Sequence, residues 1–470
     1  MTDADPPEVS EPVVLKGDEA VALWQKGPDV WNAWIEEHSG ARIDFSYVDF
    51  SNERDSKGFL SFEGYRFGFG VVSFEQAYFG DGQVSFRGAV FNNIKVYFNY
   101  AIFGEGDGDG DVSFEDARFR DGDVSFEDAK FGDAEVSFKN AEFGNGDVSF
   151  YRVTFGDGAV SFGGATFGIG NVYFMNAYFG DLGVSFDGST FAKGFVSFRN
   201  ATFGKGGVTF NKATFADLIF IPMSIASCGF SGDRMKVNGS AEFCIPVSNA
   251  FKRFKLRGAT FDGPLILEGK LKAPPDLRGV KTAHHVELSG LSVELKRDSI
   301  FPFWPLSELS RVASDREDAA KLRRLKEIAE ANRDHHAALR FSADENRARR
   351  WIETPWPASI LDMIFSVISN YGQSILRPFG WLCLLGVIAA MFYRCAACPA
   401  YADCWQAARL SLSNSLPFLP QSRTLRLDAS EALYGETTSL WVDSVMVFQG
   451  TASFVLLFLI GLGLRNRFRL

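Results

Sequence analysis

Histidine and cysteine are both scarce in this chain, with five and six copies among 470 residues. The cysteines form no single framework: Cys228 and Cys244 stand in a β-rich middle, Cys383 in an apolar run, and Cys395, Cys398 and Cys404 just beyond it. That spacing does not describe a disulfide-stapled scaffold. One further Cys and no neighbouring His make the Cys395-x-x-Cys398 pair a poor zinc set, so a disulfide among Cys395, Cys398 and Cys404, in an oxidising space, is the expectation. His284 and His285 are adjacent on a strand and would point to opposite faces. Asp334-His335-His336 has no Glu-x-x-His companion, and His336 falls on an apolar helical stripe. No metal, cofactor or catalytic residue is expected. Residues 1–12 are acidic and proline-rich and lack the basic and apolar parts of a secretory leader. Positive charge is also short: the formal net charge is −10, which disfavours nucleic-acid binding through phosphate contacts.

What is abundant is phenylalanine, at 48 copies. Between Phe62 and Phe215 the chain repeats every twelve residues, with Val-Ser-Phe in one half of each unit and Ala-x-Phe in the other. Val84-Ser85-Phe86 with Ala89-Val90-Phe91 and Val136-Ser137-Phe138 with Ala141-Glu142-Phe143 are two of about thirteen copies. Self-similarity at a short fixed period marks a solenoid, in which no unit buries its apolar face alone. It also disfavours an enzyme, because a repeated surface offers no unique cluster of reactive groups. The alternation apolar, polar, apolar gives strands of about three residues with Val or Ala and Phe inward. The predicted inward column includes Phe86, Phe91, Phe126, Phe131, Phe138, Phe143, Phe150, Phe155, Phe162 and Phe167. Gly and Asp suit the longer of the two corners, as in Gly132-Asp133-Ala134-Glu135. The run from Gly104 to Asp111 lengthens one corner by four residues without shifting the later phase. It lacks the glycine and distal Glu of a helix-loop-helix calcium loop, so a solvated bulge is expected.

This pattern resembles the pentapeptide repeat, and Ile43-Asp44-Phe45-Ser46-Tyr47-Val48-Asp49-Phe50-Ser51-Asn52 matches its five-residue form. The resemblance covers residues 43–220. It implies a mainly β fold, a right-handed quadrilateral parallel β-helix with four pentapeptides, here 24 residues, per coil. A rival geometry places one twelve-residue unit on each coil of a flattened solenoid.

Residues 1–42 hold a tail and an aromatic helix, with Trp31 and Trp34 covering the first coil and Asp29 capping the helix start. The beat fades over 221–300, read as an irregular continuation of the solenoid. Residues 301–355 form a linker and an amphipathic helix over 314–350, whose stripe packs on the end of the β-helix or on the same helix of another copy. Residues 356–470 hold an interfacial helix and two membrane-spanning helices, with 394–439 as the extracytoplasmic loop. Arginines flank the pair on the same side, so the positive-inside rule leaves both termini in the cytoplasm. Ser369 to Pro378, Asn414 to Phe418 and the final seven residues resemble the tail of bacterial membrane-bound pentapeptide-repeat proteins. That resemblance implies a multi-pass protein of the bacterial inner membrane.

The leading expectation is a non-enzymatic membrane-anchored protein that presents a cytoplasmic β-helix as a scaffold for a protein partner of unknown identity. Lipid would hold the two helices, and a homo-oligomer is compatible with the pattern. An oligomeric pore or membrane effector is the second reading, with Gln449, Thr451 and Ser453 lining an opening and the rod as sensor, although residues 413–422 carry no Thr-Val-Gly-Tyr-Gly filter. A third follows from the acidic rod, which resembles the pentapeptide proteins that imitate duplex DNA and occupy a topoisomerase.

Overall fold

A computed structural model describes residues 13–92, 95–104, 110–226, 228–246, 251–299, 311–397, 403–416, 418–435 and 437–468. The chain divides into two compact units, Met1–Lys296 with Glu317–Phe341, and Arg297–Arg316 with Ser342–Leu470. The first is a parallel β-solenoid of about 11 turns.

Its register fixes the coil. Val124 pairs with Val148, Phe119 with Phe143 and Val136 with Val160, each 24 residues apart. Three long parallel ladders, and a fourth made of bridges from Asp49 to Tyr178 that continues through Phe179, Phe203 and Ile225, form four sides. The flattened alternative is thereby excluded. Each side contributes a column of rings. Phe86, Phe114, Phe138 and Phe162 stack at 4.8 Å between centroids with planes within 4°, and Phe98, Phe126 and Phe150 stack at 4.8 and 5.1 Å with planes within 5° on the opposite side. The two columns meet edge to face, as Phe126 and Phe138 do at 5.5 Å and 86°, a favoured aromatic geometry. Phe91, Phe143 and Phe167 build the third column, Phe131 and Phe155 the fourth, and all of these rings are buried. Burial of each contributes roughly 1.5–3 kcal/mol before chain ordering is subtracted.

The corners differ from the sequence expectation in one respect. The left-handed residue sits in the short corner, two places after the Val-x-Phe phenylalanine: Asp128, Asn140, Arg152, Asn176 and Lys212 all have φ between 55° and 59°. Ala129 N–H donates to Phe126 O at 3.1 Å across this corner, so it is a turn that demands positive φ at its third position. At the longer corner glycine answers close approach: a Cβ on Gly168 would lie 2.2 Å from Gly144 O in the coil below.

The four added residues change the spacing from 24 to 28 where Val84 pairs with Val112, and Val112 pairs with Val136 at 24 again. Residues 105–109 of that run, and the calcium-loop question with them, lie outside the described residues. The ladders continue past residue 220 with coils of 21 to 24 residues, as in Leu265 with Val286 and Phe230 with Phe254.

Both ends of the solenoid are covered. At the first, helices α1 (Gly17–Trp24) and α2 (Pro28–Glu37) replace the single helix expected. They part at Gly27, φ 92°, which caps α2 with Pro28 behind it, and Asp29 makes no capping bond. Trp24 stacks on Phe62 at 5.1 Å and Trp31 on Phe45 at 5.9 Å, extending the columns, while Trp34 is half-buried on His38. At the other end the expected helix over 314–350 is two helices, α3 (Asp318–Ala331) and α4 (His335–Arg349). Arg333 takes φ 60° at the break, and Asn332 Oδ1 accepts from Val286 N–H at 2.9 Å. Leu322, Leu325 and Ile328 of α3 are buried and Arg324 donates to Val280 O at 2.7 Å, so the stripe covers the last coils. His336 is exposed, not on that stripe.

The second unit is helical. A two-stranded antiparallel ribbon, Arg297–Ser299 with Arg311–Ala313, joins α5 (Trp356–Ser369), α6 (Leu376–Ala396), α7 (Cys404–Ser415), α8 (Pro420–Tyr434) and α9 (Leu440–Phe468). α6 and α9 have the length and hydropathy to cross a membrane, and only 11% and 22% of their most apolar windows are buried. A soluble core helix would be mostly covered; these present Phe379, Val387, Met391, Phe448, Phe454 and Phe458 outward. Within the expected loop 394–439 the chain forms α7 and α8.

Candidate functional site

On the solenoid, inward positions are filled by rings and aliphatic groups, so any function lies on its outer surface. Rows of side chains repeat there at the coil spacing. Asp133, Asp157 and Asp181 form one row, in which each Oδ1 accepts the backbone N–H of the residue 24 places on, at 2.9, 3.3 and 3.2 Å. Asp123, Asp147 and Asn171 form a second such row. The carboxylates tie coil to coil, a role the sequence signals only as Gly-Asp turns. Ser137 and Ser149 donate to Glu115 and Glu127 of the preceding coil at 2.9 and 3.0 Å. One face holds a shallow groove of about 520 Å³ with Tyr97, Tyr151, Tyr173 and Met175 beside Glu127 and Asp147. It combines apolar contact area with carboxylates. Burial and the Asp147 charge raise the Tyr173 phenol above its ordinary pKa.

No group of three His, Cys, Asp or Glu able to hold a metal occurs among the described residues. His284 and His285 are both exposed. Cys395 and Cys404 are exposed free thiols, and Cys398 lies outside the described residues. Burial pushes the Cys228 and Cys244 thiols up to about 11, which removes them from thiolate chemistry near neutrality.

The second unit contains two polar networks. At the foot of the spanning pair, the Ser-Asn-Tyr-Gly run closes α5: Asn370, Tyr371 and Gly372 all have positive φ, and Ser369 Oγ accepts from Gly372 N–H at 3.0 Å. Arg350 donates to Asp362 at 2.8 Å and to Tyr371 Oη at 3.0 Å, and Arg347 donates to Asn370. Asn466 of α9 donates to Gly372 O at 3.0 Å. This clamp fixes α5 against the end of α9.

The other network is centred on Gln449, which is fully buried. Its Oε1 accepts from Tyr393 Oη at 2.7 Å and Asn414 Nδ2 at 3.1 Å, while its Nε2 donates to Ser411 O and Ser415 Oγ at 3.0 Å. Asn414 also reaches Met446 O, and Ser411 Oγ donates to Gly386 O, both at 2.7 Å. Of the three residues expected to line an opening, Gln449 and Ser453 are therefore buried between helices. Thr451 is exposed and bonds its own helix at Val447 O. Hydropathy marks α6 and α9, but the Ser and Asn face of α7 carries no apolar signal, and its packing against both rests on these hydrogen bonds. No family model, no curated protein and no solved structure matches the chain.

Proposed function

We propose that this is a non-enzymatic pentapeptide-repeat protein of the bacterial inner membrane, both termini cytoplasmic, which presents its β-helix to a protein partner while lipid holds α6 and α9. The observation that carries the reading is the union of a solenoid whose aspartate rows bond coil to coil with two helices whose apolar side chains face outward. The Tyr97 to Met175 groove is the partner surface of choice, because aromatic rings flanked by carboxylates suit a basic, partly apolar peptide.

The test is photo-crosslinking in cells from Tyr151, with Tyr47 at the capped end as the control position. A protein adduct specific to Tyr151 supports the reading. Equal adducts at both sites, or full-length protein recovered wholly in the soluble fraction, would defeat it.

A further inference from the structure

The Gln449 network has a geometric consequence for α7 and α8. Gly386, which accepts from Ser411, is the eleventh of the 21 residues of α6, so α7 ends at the middle of a membrane-spanning helix. Its other end lies by the close of α6, since Ala407 and Leu410 share a buried cluster with Ala389, Tyr393 and Ala397. α8 returns the same way: Ala429 and Leu433 join that cluster, and Tyr434 Oη donates to Tyr393 O at 2.7 Å. The pair is a re-entrant hairpin. At 1.5 Å per residue, Arg423 sits about 9 Å deeper than Ala429.

Two features at that depth conflict with lipid. Between α7 and α8, Leu416, Phe418 and Leu419 are non-helical, with Phe418 63% and Leu419 43% exposed. Irregular backbone at membrane depth persists only against protein or water. α8 also exposes Arg423 at that depth, which hydrocarbon does not accommodate, while Asp428 and Glu431 stand beside Ala429, towards the outer end of the hairpin. Ser422, Ala429 and Leu433 are its buried face, so helical periodicity puts Thr424, the exposed Leu427 and Glu431 on the far side, with Asp428 on one flank and Arg423 on the other. A ring of copies brings the Arg423 flank of one α8 to the Asp428 flank of the next.

We propose that copies of this chain assemble with their α8 helices around a water-filled path that passes small inorganic cations, with Thr424 and Glu431 on its wall. Carboxylate rings select cations. Gln449, Thr451 and Ser453 are not its lining. This goes beyond the scaffold role, which stands or falls by the groove.

Full-length protein is reconstituted into sealed vesicles of phosphatidylcholine and phosphatidylglycerol at several copies per vesicle, and potassium and chloride release are followed. The expected result is potassium release about tenfold above protein-free vesicles, exceeding chloride release, with the preference reversed by Glu431→Lys. Tight vesicles, or a chloride preference in the unaltered protein, overturn the proposal. Peptide-resolved labelling gives a second measure. Thr424→Cys should react with a membrane-impermeant thiol reagent about tenfold faster than Phe454→Cys on the outward face of α9. Equal rates overturn the water-filled path.

Discussion

The solenoid and the helical unit use the same kinds of apolar side chain in opposite ways. In the first, Phe138 touches Phe114, Phe126, Phe150 and Phe162 and is closed to solvent. In the second, Phe448, Phe454 and Phe458 stand outward, while the interior holds Gln449, Asn414 and a set of serines beside an apolar cluster that includes Tyr393, Leu410 and Leu433. Water drives rings inward. Helices that cross a membrane lack that drive, and hydrogen bonds between them contribute to specifying the packing instead; α6 and α9 are long and apolar enough to do so. The contrast shows why one hydropathy reading has to be inverted for the helices that follow Trp356.

The sharpest way to break this comparison is a pair of truncations. Phe138→Ala should cost about 3–5 kcal/mol and lower amide hydrogen-exchange protection in the coils on either side, whereas Phe454→Ala should stay within about 0.5 kcal/mol in detergent-solubilised protein. Similar losses would mean that the two environments do not differ. A second pair concerns glycine. Gly168→Ala forces a Cβ against Gly144 O and should cost about 1–3 kcal/mol in urea unfolding, while Gly380→Ala, with open space around it, should be near neutral. Smaller again is Gln449→Leu, at about 1–2 kcal/mol by denaturant titration in detergent, since it removes the acceptor of Tyr393 Oη and one of the two acceptors of Asn414. An unchanged midpoint would remove the network from the account of packing.

The mildest test is pH. Burial alone would raise the Asp276 carboxyl, but the Arg278 guanidinium, at 2.7 and 2.8 Å, and Arg278 N–H hold it below its ordinary value. A depressed carboxylate contributes stability above its unfolded pKa, about 3.9, and loses it as pH falls through the lower folded value. Acid unfolding of Asp276→Asn should therefore show a flatter pH dependence below about pH 4 than the unaltered chain. Identical profiles would exclude the pair as a source of acid sensitivity.

The coil length, the inward phenylalanines, the Trp31 cap and the two spanning helices were legible because each rests on a period or a run. Features set by a partner distant in sequence were not. The turn at Asn332 exists because Val286 N–H needs an acceptor, and nothing between residues 314 and 350 announces that donor. Left-handed backbone at Arg152 or Lys212 is imposed by the four-residue corner on residues with no preference for it. The burial of Ser411 and Asn414 depends on Gly386 and Gln449, which lie 25 and 35 residues away.

Because the rungs from Val112 to Val208 meet one another in unchanged phase, the cross-section of that part of the rod is independent of its length. Removing or duplicating 24 residues between the caps leaves each surviving neighbour with an equivalent neighbour, and moves one cap relative to the other by a single strand spacing, about 4.8 Å. Repeat gain and loss can therefore adjust the reach of this protein in fixed increments, like the graduations of a ruler, without any redesign of what sits at its ends.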